Sequence, residues 1–534
     1  MSQTTQPTNT GALATLVTVF FFWGFIAASN GIFIPFCKKY FSLSQFQSQL
    51  IDTAFYGAYY IGSYLLFLST ALTKIDILNK IGYKKGIVAG LFVSIAGAML
   101  MIPASGSGSF YFILGAFFVI ALGFSLQQTA AQPFAISLGD PSTGSHRLNM
   151  GGSVNSFGTT VGPLIVSIAL FGSIQAGAAA DADISQIKTL YMIVGGVFLF
   201  AALIFIFSRK LPVSSFEEHV EASPKALTSL TLLTAALLGI ALLGQTSIPL
   251  TKLELSCIAL CVVFLILFVS YHRASKNGEG WGAMKYPQLI LGMLGIFIYV
   301  GVEVTIQSNL GALLKTPDFG SIHEAHISKY ISLYWGSLMI GRWTAAISVF
   351  NLKKTMKQVM TLVVPIAAFA IIILVNMGRG NDMSDLYTYV VCIAILIAGI
   401  FYGQDKPIKT LLTLSVLAAV AMTIGMLFTG GVATYALLSG GLFCSVMWPC
   451  IFSLGVAGLG KYTSEGSAFL IMMILGGAII PPFQGALADT SVGIHMSYIV
   501  AVVCFLLLAG LAMKMKSVLQ SQGLDFDNQI AGGH

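Results

Sequence analysis

Apolar residues run in blocks near or above the ~20 needed to cross a bilayer, and these blocks recur from Gly11 almost to Lys514. They fall at about 11–36, 51–73, 86–104, 109–138, 149–173, 188–208, 226–248 and 253–271, then at about 286–314, 329–351, 358–376, 385–403, 409–430, 432–457, 465–485 and 492–513. Polar stretches from Arg209 to Lys225 and from Arg273 to Lys285 set the seventh and eighth blocks apart from the rest. Runs this long predict helices, because barrel strands would alternate apolar and polar residues. The pattern therefore predicts an all-α polytopic membrane protein of about sixteen spans.

A weak internal repeat divides the spans into halves. Pro133-Phe-Ala-Ile-Ser-Leu-Gly139 parallels Pro449-Cys-Ile-Phe-Ser-Leu-Gly455. Each is followed by a short loop, Asp140 to Arg147 or Lys461 to Glu465, and then by a helix interrupted at Gly162-Pro163 or Pro481-Pro482. The turn Gly82-Tyr-Lys-Lys-Gly86 has a counterpart near Gly341-Arg342. Repeated halves with interrupted helices are the mark of alternating-access transporters, whose site lies between the halves near the midplane.

Composition agrees: 56% hydrophobic, 9% charged and a mean hydropathy of +0.87. The net charge of +7 reflects topology rather than nucleic-acid binding, since no basic face or tail gathers it. With the N-terminus inside, only Lys38, Lys39, Lys188, Lys252, Lys315, Lys329 and Arg379 of the 27 Lys and Arg fall outside. That bias predicts both termini in the cytoplasm of an inner (plasma) membrane protein. The N-terminal MSQTTQPTNT lacks a basic region, so the first apolar run reads as a span rather than a cleaved signal. The seven Cys form no CxxC and no Cys/His cluster, which gives no basis for a disulfide, metal site or cofactor.

The polar residues inside spans carry the chemistry. Glu303 sits mid-way in the apolar stretch Leu289 to Leu314, the one acidic residue the pattern places deep in a span. An acid at a helix centre costs about 3 kcal/mol on insertion scales, so it marks a functional site by default. Tyr299, Glu303 and Gln307 repeat every four residues and stack along one face. Gln128 and Gln132 do the same in the fourth span, beside Gln127. Asn30 lies in the first span, Asn155 in the glycine-rich fifth, and Gln484 after the Pro481-Pro482 break. Amides both donate and accept, which suits a ligand rich in hydroxyls. Singly, each could equally be an interhelical bond, which contributes about 0.6 kcal/mol on average. Trp448 and Trp23 offer aromatic faces for an apolar sugar face, whereas Trp281 reads as an interfacial anchor and Trp335 and Trp343 as packed or interfacial. No nucleophile–base pair or phosphate loop appears, so an enzyme is not expected.

The motifs FFFWGF…NGIFIPF, KIGYKKGI, QQTAAQPFAISLG, RLNMGGSVNSFGTTVGP, IFIYVGVEVTI, IGRW, GLFCSVMWPCIFSLGVAGLGKYTSEGS and GGAIIPPFQGALAD resemble the major facilitator superfamily, and within it the fucose–galactose–glucose:cation symporter family. The resemblance covers roughly 17–205, 286–350 and 408–512. It implies a two-bundle fold of twelve core helices. A tail at 1–10 would precede an N-terminal six-helix bundle at 11–208, with central cytoplasmic segments at 209–285 holding one extra hairpin. A C-terminal bundle at 286–513 would hold another at 358–403, before a tail at 514–534.

The resemblance also implies hexose uptake, of glucose, galactose or a fucose-like sugar, coupled to H+ or Na+. Asn30, Gln128, Gln132, Asn155, Gln307, Trp448 and Gln484 would bind the sugar, and Glu303 would be sugar ligand, coupling group or both. Proton-coupled fucose-transporting members carry an Asp where Gly31 stands, a Glu where Gln128 stands and a Gln where Gly152 stands, whereas Asn155 is retained. Many relatives share the acid at Glu303, where the fucose transporter has Gln. The expected partners are the sugar, the cation and the bilayer, with the chain acting as a monomer. An uncoupled uniporter and a transporter-like sugar sensor are the alternatives.

Overall fold

The computed structural model describes residues 7–42, 45–171, 184–212 and 219–524, apart from 245, 247, 249 and 351. Every named element among the described residues is helical. In the first half of the chain these are α1 (Thr10–Tyr40), α2 (Gln45–Thr73), α3 (Ile77–Ile81), α4 (Tyr83–Gly106), α5 (Phe110–Ser137), α6 (Gly144–Phe171), α7 (Ile184–Phe207), α8 (Pro224–Leu243) and α9 (Lys252–Lys276). In the second they are α10 (Pro287–Leu314), α11 (Glu324–Ala346), α12 (Lys354–Gly378), α13 (Val390–Gly403), α14 (Pro407–Leu427), α15 (Gly430–Cys444), α16 (Met447–Gly455), α17 (Thr463–Met472), α18 (Gly476–Ala488), α19 (Gly493–Met496) and α20 (Ile499–Ser521). Twelve helical segments of the described residues are long and apolar enough to cross a membrane. The chain is a multi-pass membrane protein.

Two compact units are present. The first comprises Met1–Ser63, Ile81–Ser215 and Arg342–Thr388; the second comprises Tyr64–Lys80, Phe216–Gly341 and Tyr389–His534. Helix α2 is thus divided at Ser63, and the two helices of the inserted 358–403 segment part company, α12 in the first unit and α13 in the second.

In the first unit α1 packs along α6, and α4 lies against α5 and α7. The α1–α6 seam is close because it is lined by glycine: a Cβ on Gly24 would collide with the Asn155 carbonyl, and one on Gly158 with the Phe21 carbonyl. Small residues let backbones meet where no water competes for their contacts. At the end of α5 lies Arg147, a residue 1% exposed. It donates to the carbonyls of Ala135 (2.8 Å), Ile136 (2.6 Å) and Asp140 (2.6 Å), occupying acceptors that a helix C-terminus otherwise leaves open.

In the second unit α10 is the buried axis, packed by α9, α16, α18 and α20. Most of its residues are buried, and a helix covered on nearly every side has little face to give to water. The α15–α16 interruption at Ser445 and Val446 follows from Pro449, which lacks the N–H that a continuous helix would bond back to residue 445. Trp448 is thereby placed in the first turn of α16. The predicted interfacial anchor Trp281 is instead 3% exposed and buried in this unit. The turn at Gly282–Lys285 folds it inward, where the Ala283 amide donates to Glu465 Oε1 at 3.0 Å.

The end of α2 belongs to the second unit by specific contacts. Phe67 meets Phe469 edge-on at 4.7 Å, and Asn79 Nδ2 donates to the Lys461 carbonyl at 2.9 Å. Asp76 Oδ1 accepts from the Asn79 amide and from the Ser464 hydroxyl, each at 3.0 Å. Asp76 lies in the turn after α2 and is buried. Desolvation raises its pKa above the ordinary 3.8, although the Asn79 amide and the Ser464 hydroxyl pull the other way. The folded chain therefore holds this proton more tightly than the unfolded chain does. The stability it contributes is complete below 3.8 and is lost as pH rises through the elevated value. Asp76→Asn should flatten the fall of the unfolding temperature with rising pH, measured by thermal denaturation in detergent. Parallel slopes for variant and wild type would contradict this.

Candidate functional site

The polar face of α10 is the centre of chemistry in the second unit. Tyr299 is 1% exposed, and its hydroxyl donates to Glu303 Oε1 at 2.8 Å. Tyr334 from α11, itself fully buried, donates to the Glu303 backbone carbonyl at 2.7 Å. Carboxylate and carbonyl of one residue are thus each held by a phenol, which fixes the rotamer and the local backbone together. The four-residue spacing of Tyr299 and Glu303 places donor over acceptor on one helix face.

Glu303 itself is half-buried, as is Gln307 one turn on. Gln307 Nε2 donates to Ser308 Oγ at 3.3 Å, a long bond that leaves its carbonyl oxygen uninvolved in that contact. Trp448 is half-buried, with its ring 6.2 Å from Tyr299 and stacked on Phe452 at 6.1 Å. Tyr299, Glu303 and Trp448 therefore form one cluster: a carboxylate, a phenol that donates to it, and an indole alongside.

Gln484 is differently placed. It is fully buried, its Oε1 accepts from Asn309 Nδ2 at 3.0 Å, and its Nε2 donates to Ser497 Oγ at 3.2 Å. Both ends of the amide are engaged in joining α10, α18 and the segment before α20. Tyr498 adds to the same tie by donating to the Ile306 carbonyl at 2.9 Å.

In the first unit the three glutamines of α5 divide by role. Gln127 is fully buried; it accepts from the indole of Trp23 at 2.8 Å and donates to Ser94 at 3.0 Å. Trp23, expected as a stacking platform, is 4% exposed and lies 4.5 Å from Phe20. Its face is used by the protein and its N–H by Gln127. Gln128 is half-buried and donates to the Tyr59 hydroxyl at 2.9 Å. Gln132, 5% exposed, keeps an Oε1 that has no hydrogen-bond partner among the described residues. Asn155 is half-buried and donates to the Phe20 carbonyl at 3.1 Å across the glycine seam. Asn30 lies in α1, with its side chain outside the described residues.

Arg342 belongs to this unit too. Its Nη1 donates to Ser156 Oγ at 3.0 Å, and Trp343 Nε1 donates to the Ser153 carbonyl at 3.1 Å. The absence of a side chain at Gly152 makes room for it: a Cβ there would stand 3.1 Å from Arg342 Cδ. No group of three or more metal-ligating side chains occurs among the described residues.

Sequence reasoning missed Tyr59, Tyr334 and Asn309. Tyrosine is common among apolar residues, and nothing local distinguishes one whose hydroxyl meets a functional residue from one that merely packs.

Long apolar helices with a carboxylate and amides seated within them define a membrane transport protein in form, and comparison makes the class definite. The glucose/galactose transporter of Brucella abortus is 30% identical over 95% of this chain and 95% of the relative. The L-fucose-proton symporter of Escherichia coli is 24% identical over 92% of this chain and 90% of the relative. A crystal structure of the Escherichia coli fucose:proton symporter matches with a TM-score of 0.64 and 22% identity, covering 94% of this chain and 98% of that one, and one of a major facilitator superfamily transporter in the outward conformation matches equally well. No family profile matches the chain. The chain has the major facilitator fold, and it belongs to the fucose–galactose–glucose symporter family.

The two classes of amide should separate on mutation. Gln484→Ala takes the acceptor from Asn309 Nδ2 and a donor from Ser497 Oγ, at a cost of about 1–3 kcal/mol, and should lower the unfolding temperature while leaving the half-saturating sugar concentration unchanged. Gln128→Ala should do the reverse. A sugar-affinity loss in Gln484→Ala equal to that in Gln128→Ala would remove the distinction.

Proposed function

We propose that this protein is a secondary active hexose transporter, taking up glucose or galactose by alternating access, with proton coupling carried by Glu303. The observation that carries the reading is the Tyr299–Glu303 hydrogen bond beside the Trp448 ring. A carboxylate with one phenol donor can accept a proton without losing its partner, since the phenol can turn from donor to acceptor. The indole offers a flat apolar surface to a pyranose, and Glu303 and Gln307 offer acceptors and a donor to its hydroxyls. Gln128, Gln132 and Asn155 are further amides of the predicted sugar-binding set. Asn30 and Trp448 complete the sugar-binding set, while Gln484, expected in it from the sequence, ties α10 to α18. The names of the Brucella and Escherichia relatives support the substrate class and the coupling ion.

With Gly31 and Gln128 where proton-coupled fucose transporters carry acids, Glu303 is left as the coupling carboxylate of the spans. The same exchange favours uncoupled uniport as the second reading. Sodium coupling would need several more oxygen ligands around one ion. The protein works as a monomer in the inner membrane, with both termini cytoplasmic and about sixteen spans, four of them in two added hairpins.

Proteoliposomes separate these readings. Glu303→Gln should retain counterflow of labelled glucose or galactose and lose accumulation driven by an imposed pH gradient. Full gradient-driven accumulation by the variant would sink the coupling role. Wild-type counterflow without any gradient-driven accumulation would establish uniport instead.

A further inference from the structure

A cavity of about 380 Å³ opens in the second unit, far along the chain from Glu303, where the start of α14 meets the end of α20. Its wall is made by Lys406, Ile408, Lys409 and Leu412 from one helix start and by Met513 and Lys516 from the other helix end. The two helices run antiparallel here, which brings three lysines to one site. Among these Lys409 Nζ lies 4.1 Å from the Tyr402 ring centroid. Neither α14 nor α20 contains an acidic residue; Asp405, in the turn before α14, is the acid next to the group.

Three lysines beside the one neighbouring acid leave the cavity net positive, which suits an anion, and the apolar half of the wall says what kind. Leu412 is followed on the same helix face by Val416 and Val420, 46% and 51% exposed. Met513, 57% exposed, is preceded on α20 by Leu506, 56% exposed. The cavity thus continues into an outward apolar surface running along both helices, each long and apolar enough to span the membrane. A free phosphate would use only the lysines. A glycerophospholipid would use both parts, with its phosphate among the ammonium groups and an acyl chain along the valines and leucine. Lysine suits such a position because its aliphatic stem lines the wall while its charge reaches the headgroup layer.

We propose that this cavity binds the headgroup of an anionic glycerophospholipid from the leaflet that faces the basic ends of the helices. Basic pockets between spans at the cytoplasmic side are suited to such headgroups, and that leaflet carries the negative surface potential. The site is built from residues that take no part in the sugar-binding set. It holds whether or not the hexose reading does.

The test uses the purified full chain in a neutral detergent and acyl-labelled phosphatidylglycerol, followed by fluorescence. Saturable binding is expected, with labelled phosphatidylcholine binding at least tenfold more weakly, since it carries no net charge for the lysines. The triple variant Lys406→Gln/Lys409→Gln/Lys516→Gln should bind phosphatidylglycerol about a hundredfold more weakly. Lys514→Gln, which removes a charge from the same helix but none from the cavity wall, should stay within about threefold of wild type. A thermal unfolding trace confirms that each variant is folded, and Lys516→Gln alone, at an exposed position, should weaken binding about fivefold. Equal binding of the two lipids, or a loss in Lys514→Gln matching that in Lys516→Gln, would overturn the proposal. Displacement of the label by millimolar inorganic phosphate would overturn the lipid assignment in favour of a soluble anion.

Discussion

A polar group inside a bilayer has no water to turn to, so each must be held by the protein or kept for a ligand. That constraint governs both units. Where it is met internally the result is structure: Gln127 between Trp23 and Ser94, Gln484 between Asn309 and Ser497, Arg147 on the carbonyls at the end of α5. Where a phenol donates to a carboxylate at a half-buried position, the result is chemistry. Glu303 and Gln128 are both half-buried, and each is bonded to a tyrosine hydroxyl.

The backbone obeys the same rule. Gly24 and Gly158 bring α1 and α6 into direct contact, so the Asn155 amide can reach the Phe20 carbonyl. Pro449 ends α15 and restarts the chain as α16, which sets Trp448 beside Tyr299 rather than on the far side of a continuous helix. Gly152 leaves space that Arg342 fills. Each of these positions departs from ordinary helix composition, and each departure places a side chain.

Much of this was legible in the sequence. The all-helical, multi-pass class followed from the length of the apolar blocks, although twelve rather than about sixteen of them qualify as spans among the described residues, and the Tyr299–Glu303 pairing followed from their four-residue spacing. The family followed from motifs spread over both halves. Which amide serves structure and which stays available did not follow, because Gln127 and Gln128 are adjacent and differ only in the helix face they occupy. The burial of Trp23 and Trp281 did not follow either. Sequence offers Trp23 as an aromatic face for a sugar and Trp281 as an interfacial anchor, whereas Gln127 holds the first indole and the turn at Gly282–Lys285 folds the second inward. The assignment of α12 and α13 to different units was also hidden, since an apolar helix carries no mark in its sequence of the unit it packs with.

The account rests on Glu303 being the group that carries a proton with the sugar. Sugar added to proteoliposomes in weakly buffered medium, with no imposed gradient, tests this through the external pH. The account predicts external alkalinisation on addition of glucose or galactose, unchanged by sodium and absent in Glu303→Gln. Sugar entry without any pH change, or with a change that persists in the variant, would contradict it.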